Sequence, residues 1–483
     1  MFIARERELK FLNDCYNKNN AQLVVLYGRR RIGKTETLHE FCKNKPHVFF
    51  SCTQSADRKQ LARFSETLLK ENIPAKQYIT EFSDWEKAIE AVAELPYGES
   101  KKLVVIDEFP YMCEGNRSIP SILQNVWDSK LKNSNIMIVL CGSLVSFIEK
   151  EILSKKNPLY GRATGIYKME EMGFYDAMKF FPDYSEHDKI ITYSILGGIP
   201  HYLRQWDPNL SVEENIKQSI LTKGSVLYSE VDFLLHEELR ETAIYSSVIE
   251  AVALGSTRLN EISQKSLIDD KSKTSVYLKN LSNLGIVCRE LSVDSKLKEK
   301  GNQGRGIYTL SDNFFRFWYT YGFANISQLE DGDIEGVYEY SVKPCLHNYA
   351  SFAFEDICRQ FIRRMQMEKK LPFRFSKIGR WWGKTTVRDT SAPGEIRVAE
   401  TEIDLLAISH DSRKYLVGEC KFKNSPFSYS EFLDLEAKLA PQKKSIEFYY
   451  ALFSASGFDG KIMDEMNTRS VALYDLKQIV NFE

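Results

Sequence analysis

Short apolar runs alternate with helical patterns along the first 205 residues of the chain. The runs are four to six residues long, are rich in aliphatic and aromatic side chains, and cover residues 23–27, 47–52, 103–106 and 136–141. Runs of this length and composition are typical of buried β-strands. Because segments with helical periodicity separate them, the sequence predicts a parallel sheet covered by helices on both faces.

The pattern changes over residues 206–335, where helical segments dominate and a winged helix is predicted near the end. Three helical patterns are followed by two strand-like runs, at 241–254, 259–262, 274–281, 284–287 and 307–310, and a charged loop at 296–305 separates the two strands. In the third helix the spacing predicts three inward apolar residues and three outward lysines: Val276, Leu278 and Leu281, and Lys271, Lys273 and Lys279. Such a domain either places its third helix in a DNA major groove or packs against other protein domains.

A third pattern covers residues 336–483. A helix is predicted at 354–362, and strands are predicted at 399–408 and 415–422, with a His-Asp-Ser-Arg turn between the strands. The fold class predicted for the whole chain is therefore a multidomain α/β protein. Its parts are a parallel-sheet domain at 1–205, a helical and winged-helix domain at 206–335, and a second α/β domain at 336–483.

Composition indicates an ordinary globular protein but does not indicate what the protein binds. The 483 residues include 43% hydrophobic and 27% charged residues, which is typical of a globular protein, and 65 basic against 66 acidic residues leave a net charge of −1. Global charge therefore does not indicate nucleic acid. Uncharged runs are too short to span a bilayer, and the N-terminus lacks a secretory pattern. Nine scattered cysteines without C-x-x-C pairs predict reduced, mostly buried thiols in a cytoplasmic protein.

A phosphate-binding loop is the strongest chemical signal. Gly28 to Thr35 spell G-x-x-x-x-G-K-T between a predicted strand and a predicted helix. In that context the backbone N–H groups and the helix N-terminus bind phosphates, the lysine contacts the outer phosphates, and the threonine hydroxyl binds Mg2+. The residues predicted to bind ATP are Gly28, Arg29, Arg30, Arg31, Ile32, Gly33, Lys34, Thr35, Glu36 and Ser143.

Two carboxylates follow a later strand. Asp107 and Glu108 come directly after the apolar run 103–106, so they are expected at the carboxyl edge of the parallel sheet, where ligands bind. Asp107 is predicted to hold Mg2+ together with Thr35. Glu108 is predicted to accept a proton from the attacking water, which indicates ATP hydrolysis as well as ATP binding.

Two further polar residues have open interpretations on the sequence alone. Ser143 follows the run 136–141 and either senses the terminal phosphate or caps the next helix. Arg162 is either a surface residue or an arginine that stabilises the γ-phosphate, in its own subunit or in a neighbour.

Gly197 to Pro200 predict a helix end and restart, which either contacts the adenine or is a simple turn.

The C-terminal region carries a second set of chemical groups. Glu419 and Lys421 are two residues apart on one strand and therefore point to the same face, and Asp404 is expected beside them on the neighbouring strand. Asp404, Glu419 and the carbonyl of Cys420 are predicted to hold Mg2+ or Mn2+, with Glu355 adding a carboxylate from a helix. Lys421 is predicted to orient or activate water near a phosphodiester. The alternative is a charged hairpin with surface salt bridges.

A basic segment lies between Arg359 and Arg388. It contains ten lysines and arginines and a single acid, Glu368, and the pair Trp381 and Trp382 lies inside it. Basic residues interleaved with aromatic ones can follow a nucleic-acid backbone and stack on bases. A solvated basic surface with two core tryptophans is the competing interpretation.

Several segments together resemble a known family, the prokaryotic AAA-type ATPases, common in archaea, that end in a DUF234-type nuclease-like domain. The matching segments are Phe2–Leu9, Tyr27–Thr35, Ile106–Tyr111, Cys141–Ser143, Leu159–Arg162 and Gly197–Pro200. The resemblance implies an AAA-type P-loop fold, a sensor role for Ser143 and an arginine-finger role for Arg162. The C-terminal pattern is similar to the PD-(D/E)xK nucleases, with Glu355, Asp404, Glu419 and Lys421 at the core positions.

The function expected from these observations is Mg2+-dependent ATP hydrolysis coupled to DNA processing by a nuclease-like domain. The alternative is a nucleotide-dependent switch that binds protein partners, with a silent C-terminal domain. Either function is compatible with a homo-oligomer, and neither requires a membrane.

Overall fold

The computed structural model describes residues 2–294, 306–388, 396–439, 446–465 and 470–482. The predicted charged loop 296–305 lies outside these ranges, and so do the side chains of Lys384 and Arg388. The chain divides into two compact units, one formed by residues up to 172 together with 199–201, and one formed by 173–198 and 202–483. The three-part division at 205 and 335 stays a prediction.

The first unit is built around a five-stranded parallel sheet in the order β2-β3-β4-β1-β5. Four strands lie where the apolar runs predict them, and the short β5 was not predicted. The strands are β1 (Gln22–Tyr27), β2 (His47–Ser51), β3 (Lys102–Asp107), β4 (Ile136–Gly142) and β5 (Gly165–Lys168). Its helices are α1 (Glu6–Tyr16), α2 (Lys34–Cys42), α3 (Asp57–Leu69), α4 (Trp85–Ala91), α5 (Phe109–Gly115), α6 (Ile119–Ser129) and α7 (Val145–Phe147).

The burial of the central strands explains why the sheet forms here. Every residue of β1 and of β4 is buried, and the alternate side chains of each strand enter two separate apolar clusters, one on each face of the sheet. Burial on both faces is the property that the continuous apolar runs predict. Since parallel strands end at one common edge, the loops after β1, β3 and β4 meet there.

The second unit begins with a helical part. Its helices are α8 (Phe174–Ala177), α9 (Glu186–Leu196), α11 (Val212–Asn215), α12 (Val226–Glu238), α13 (Thr242–Ala253), α14 (Leu259–Lys265), α15 (Lys271–Asn283), α16 (Asn313–Phe317), α17 (Ile326–Glu330) and α18 (Ile334–Val337). The short α10 (Pro200–Leu203), whose first two residues belong to the first unit, restarts the chain after α9, as the Gly-Gly-Ile-Pro sequence predicts, with Gly197 at a φ of 62°.

Three of these helices and one hairpin match the predicted order. α13, α14 and α15 are followed by the antiparallel strands β6 (Val287–Glu290) and β7 (Ile307–Leu310). The prediction that Val276, Leu278 and Leu281 of α15 point inward is only partly correct. Leu278 and Leu281 are fully buried, but Val276 is 56% exposed. Thr274 takes the inward position instead, because positions 274, 278 and 281 follow the helical period of four and three residues.

The C-terminal part of the second unit contains a mixed five-stranded sheet in the order β12-β11-β10-β9-β8. The strands are β8 (Phe375–Arg388), β9 (Ile396–Ser409), β10 (Lys414–Lys421), β11 (Glu447–Ser454) and β12 (Val471–Asp475). The helices are α19 (Leu346–Met367), α20 (Tyr429–Leu439), α21 (Gly460–Glu465) and α22 (Leu476–Val480). β8, β9 and β10 pair antiparallel, and β10, β11 and β12 pair parallel. Within the described ranges, no helix has both the length and the apolar character needed to cross a membrane.

Candidate functional sites

The phosphate loop has the backbone that its sequence predicts. It connects β1 to α2, and Gly33 is the N-cap of α2 with a φ of 87°, a conformation that glycine adopts without strain. A Cβ atom on Gly28 would lie 2.4 Å from the carbonyl oxygen of Met169, so only glycine fits there. Arg31 also has a positive φ, of 70°, which turns the chain inside the loop. The loop N–H groups and the helix N-terminus therefore form a site for anionic phosphate.

Lys34, Thr35 and Asp107 are brought together at this edge. Lys34 is 5% exposed, and its Nζ donates to the carbonyl oxygen of Arg29 at 2.8 Å. Burial lowers the pKa of Lys34, against the opposing charges of Glu108 and Asp107. The Thr35 hydroxyl donates to Asp107 Oδ2 at 2.7 Å, and Asp107 is 3% exposed. A hydroxyl and a carboxylate in direct contact beside a phosphate loop are donors that fit Mg2+.

Glu108 and Ser143 form a pair across the gap between β3 and β4. The Ser143 hydroxyl donates to Glu108 Oε2 at 2.8 Å, and the Ser143 backbone N–H donates to the same oxygen at 3.3 Å. Ser143 is not the helix cap that the alternative interpretation predicts, because Leu144 is the N-cap of α7 and no side chain caps it. Glu108 has a φ of 51°, and such positive values in residues other than glycine are concentrated at functional sites.

Other residues from the segments that carry the family resemblance also pack at the carboxyl edge of the parallel sheet. Arg30 donates to the Tyr111 hydroxyl at 2.8 Å, which connects the loop to α5. Pro110 lies against Gly142, where an added Cβ would come within 2.8 Å of the proline ring. Ile32 is fully buried under the loop, whereas Glu36 lies exposed in the first turn of α2. The Tyr-Gly-Arg-Arg and Phe-Pro-Tyr segments are therefore in direct contact through Arg30 and Tyr111.

Arg5 is a site residue that the sequence analysis missed. It is 6% exposed and donates to the Ile32 carbonyl at 2.7 Å, to the Glu170 carbonyl at 2.8 Å and to Glu8 Oε1 at 2.8 Å. These bonds tie the phosphate loop to the segment after β5. The only sequence signal was the presence of Arg5 in the Phe2–Leu9 segment of the family resemblance.

Arg162 lies away from the phosphate loop of its own chain. It precedes β5, and the neighbouring Thr164 binds Leu23 at the start of β1, whereas the loop follows the end of β1. Five strand residues separate these points, about 17 Å. The Arg162 guanidinium donates to Asp128 Oδ2 at 2.9 Å and to the Pro158 carbonyl at 3.0 Å. Of the predicted alternatives, the geometry disfavours contact between Arg162 and a phosphate bound by its own subunit.

The C-terminal residues Asp404, Glu419 and Lys421 do meet, on β9 and β10. Asp404 Oδ2 accepts from the Cys420 N–H at 2.8 Å, and Lys421 Nζ donates to Glu419 Oε1 at 2.6 Å. Burial and the charge of Glu419 raise the pKa of Asp404 to about 6. Glu419 is 6% exposed, and its Oε2 is buried without a hydrogen bond. Carboxylates that repel each other at a buried position are stabilised by a cation.

Glu355 is paired with two arginines. Its Oε2 lies 3.3 Å from Arg380 Nε and 3.7 Å from Arg359 Nη1. Burial and the charge of Asp404 raise the pKa of Glu355 to about 8. Arg380 also pairs with Glu402 and, at 3.5 Å, with Glu290 of β6. Among the described residues, no group of three or more His, Cys, Asp or Glu side chains is arranged as a metal site. Because Glu355 is paired with arginines, Asp404, Glu419 and the Cys420 carbonyl remain the predicted ligands of a cation.

The predicted nucleic-acid surface is only partly exposed. The three lysines of α15 are exposed, and so are five basic residues of the later segment: Arg363, Lys369, Lys370, Arg374 and Lys377. Arg359 and Arg380 are instead engaged in ion pairs. Trp381 is 7% exposed, and its indole N–H donates to Asp294 Oδ2 at 2.9 Å, so it is a core residue that is not available to stack on bases.

Comparison with known protein families identifies two segments of the chain. Residues 2–206 match an ATPase domain found predominantly in Archaea, and residues 318–434 match DUF234, archaeal and bacterial proteins of unknown function. An uncharacterized protein of Methanocaldococcus jannaschii is 33% identical over 427 residues, which are 88% of each chain. An uncharacterized ATP-binding protein of the same organism is 51% identical over 45 residues, 9% of this chain and 76% of the relative.

Solved structures give similarities at lower identity. The Walker-type ATPase PABY2304 of Pyrococcus abyssi is 20% identical, with a TM-score of 0.47 over 66% of this chain and 96% of that one. The ORC2 protein of Aeropyrum pernix is 13% identical, with a TM-score of 0.40 over 68% of this chain and 96% of that one.

The parallel sheet and its phosphate loop define a P-loop ATPase domain, joined to a separate C-terminal α/β domain. The chain belongs to the prokaryotic ATPase family that combines this archaeal-type ATPase domain with a DUF234 domain.

Proposed function

We propose that this protein hydrolyses ATP with Mg2+ and that its nucleotide state controls metal-dependent cleavage of DNA by the C-terminal domain. The observation that carries the first half is the cluster at the end of β1, β3 and β4. Thr35 contacts Asp107 at 2.7 Å, and Ser143 contacts Glu108 at 2.8 Å, beside the buried Lys34. Family membership supports ATPase activity independently.

Each group at this edge has a role in the proposed hydrolysis. Bound Mg2+ supplies positive charge to the β- and γ-phosphates. Lys34 adds a further positive charge, and Thr35 and Asp107 supply the oxygen donors for the ion. Glu108 accepts the proton of the attacking water, and Ser143 orients Glu108 through two hydrogen bonds to one oxygen.

Arg162 completes the site from a neighbouring subunit in this proposal. Its distance from its own phosphate loop, and its half-buried position beside Asp128 at the surface, support a role in trans. An arginine that reaches the γ-phosphate of a neighbour makes hydrolysis dependent on assembly. We therefore propose a homo-oligomer as the active state.

The proposed cleavage site uses the carboxyl edge of β10 and the adjacent part of β9. Asp404, Glu419 and the Cys420 carbonyl would hold Mg2+ or Mn2+, which supplies Lewis acidity to a phosphodiester. Lys421, bonded to Glu419, is placed to orient water or to stabilise the charge that develops. The exposed lysines of α15 and the basic residues near β8 support DNA as the substrate, because they are solvent-facing cations.

The test uses purified protein with labelled double-stranded, single-stranded and branched DNA, with Mg2+ or Mn2+, and with or without ATP. Asp404→Asn removes one metal-binding carboxylate and is run beside Asp411→Asn, a matched change in the turn after β9. We expect cleavage that Asp404→Asn abolishes and Asp411→Asn retains. Absence of cleavage in every condition contradicts the nuclease half of the proposal.

A second candidate function is a nucleotide switch whose C-terminal domain only binds partners. It is favoured by the ion pair between Lys421 and Glu419, since this pair neutralises the carboxylate that a metal needs. This candidate predicts nucleotide-dependent assembly with no cleavage. DNA mobility that changes with ATP identifies nucleic acid as the partner, and unchanged mobility directs attention to proteins.

A further inference from the structure

Glu419 is contacted by a second lysine that the sequence motif does not include. Lys438 Nζ lies 3.6 Å from Glu419 Oε2, while Lys421 occupies Oε1 at 2.6 Å. Lys438 Nζ also donates to the Glu402 carbonyl oxygen at 3.1 Å. One carboxylate therefore faces two ammonium groups.

The position of Lys438 is fixed by the packing of its helix. α20 buries Phe432, Leu435 and Leu439 against the C-terminal sheet, and Lys438 extends from its last turn. The Lys438 side chain is 25% exposed, and that of Glu419 is 8% exposed. Lys438 therefore lies at the solvent-accessible margin of the site, where a substrate would reach it from solvent.

The contact of Lys438 with Glu419 is weaker than that of Lys421. Glu419 Oε2 has no hydrogen bond, so Lys438 is attracted by charge without forming a directed bond. A divalent cation on Glu419 would neutralise the carboxylate and repel the nearby ammonium group. Lys438 would then require another negative group, and the phosphate of a bound nucleic-acid strand provides one at the same place.

We propose that Lys438 is a substrate-binding cation of the C-terminal site, which pairs with Glu419 before a metal binds and with a phosphate oxygen of the nucleic acid afterwards. This inference rests on the proposed nuclease function. It assigns different tasks to the two lysines: Lys421 stays on the strand beside the carboxylates, and Lys438 exchanges partners. A purely structural role, in which Lys438 only binds the Glu402 carbonyl, is the competing explanation.

Two variants separate these explanations in the full chain. Lys438→Gln removes the charge and keeps a donor for the Glu402 carbonyl, and Lys438→Arg keeps the charge. Lys414→Gln is the matched control, because Lys414 begins the same strand, β10, and pairs with Glu447 far from the site. Calorimetry measures Mn2+ binding to the nucleotide-free protein. The heat that is lost in Asp404→Asn is the part that comes from the C-terminal site. Cleavage of labelled DNA is measured in parallel.

We expect Lys438→Gln to bind Mn2+ about tenfold more tightly, the effect of removing a unit charge roughly 6 Å from a divalent ion in a water-like dielectric. We expect its cleavage rate to fall about a hundredfold, since a charge that stabilises the reacting phosphate is lost. Lys438→Arg should retain wild-type Mn2+ affinity and most of the cleavage, and Lys414→Gln should match the wild type in both measurements.

Unchanged or weaker Mn2+ binding in Lys438→Gln, together with a lower melting temperature, shows a structural role and overturns the inference alone. Cleavage by Lys438→Gln at the wild-type rate also overturns it. If the wild type itself neither binds Mn2+ through Asp404 nor cleaves DNA, the proposed nuclease function fails, and the inference fails with it.

Discussion

Ser143 donates two hydrogen bonds to a single carboxylate oxygen of Glu108, one from its hydroxyl at 2.8 Å and one from its backbone N–H at 3.3 Å. The two residues come from the ends of adjacent strands, β4 and β3. Orientation of the proposed general base therefore depends on a residue 35 positions away in the sequence.

Ser143→Ala should leave ATP affinity within about threefold and lower kcat by about ten- to a hundredfold, because Glu108 loses its orienting hydroxyl while the backbone bond remains. Ser143→Thr keeps the hydroxyl and serves as the control. A rise in kcat in Ser143→Ala would show instead that the serine restrains the base.

Glu108→Gln and Lys34→Ala should separate hydrolysis from binding. The glutamine cannot accept a proton, so kcat should fall by about 10²- to 10⁴-fold with ATP still bound. Lys34→Ala should abolish detectable ATP binding, since it removes a buried cation from the phosphate loop. Fluorescent-nucleotide titration and phosphate release measure the two effects, and retained tight binding by Lys34→Ala contradicts the site assignment.

Arg162→Ala should reduce hydrolysis by about a thousandfold without loss of ATP binding, in the range observed for arginine fingers. Mixing two inactive variants tests directly whether Arg162 acts on a neighbouring subunit. Arg162→Ala subunits have an intact loop, and Glu108→Gln subunits have an intact arginine, so a mixture should regain activity that neither variant has alone. No recovery in mixtures that assemble normally would exclude a role in trans.

Arg5→Ala should destabilise the first unit by about 3 kcal/mol, because it leaves Glu8 and two carbonyl groups without their buried partner. ATP affinity should also fall, since the Ile32 carbonyl belongs to the phosphate loop. Urea unfolding and nucleotide titration test this expectation. Arg7→Ala, at an exposed position in the first turn of α1, should change neither quantity.

Glu355→Gln should change how stability depends on pH. The pKa of Glu355 is raised to about 8, above its ordinary 4.5, so the folded protein binds more protons than the unfolded chain between those values. This carboxyl group therefore makes the wild type less stable as the pH rises from about 4.5 to 8. The amide cannot ionise, so the variant should lose less unfolding free energy over that range, by on the order of 5 kcal/mol. Parallel pH curves for the two proteins would contradict the buried placement of Glu355.

Local sequence patterns predicted most of the strands and helices, and the wrong or missing predictions have physical causes. β1 to β4 were predicted because they are buried on both faces, but β5 alternates between half-buried and exposed residues and has no continuous apolar run. Val276 was placed inward from its apolar character, whereas the period of α15 turns it to solvent. The sequence allowed Trp381 to stack on bases, but its indole N–H donates a hydrogen bond to Asp294 in the core.

The sequence by itself determined the groups whose function depends on neighbours along the chain. The phosphate loop, the carboxylates after β3 and the E-x-K strand are local patterns, because the turn of a loop and the alternation of a strand are fixed within a few residues. Only the tertiary structure decided which distant groups meet. The partners of Arg5 are up to 165 positions away, Lys438 approaches Glu419 from a helix, and Arg162 is separated from its own loop by the length of β1. These relationships depend on how strands and helices pack, and packing is not encoded in the spacing of any one segment.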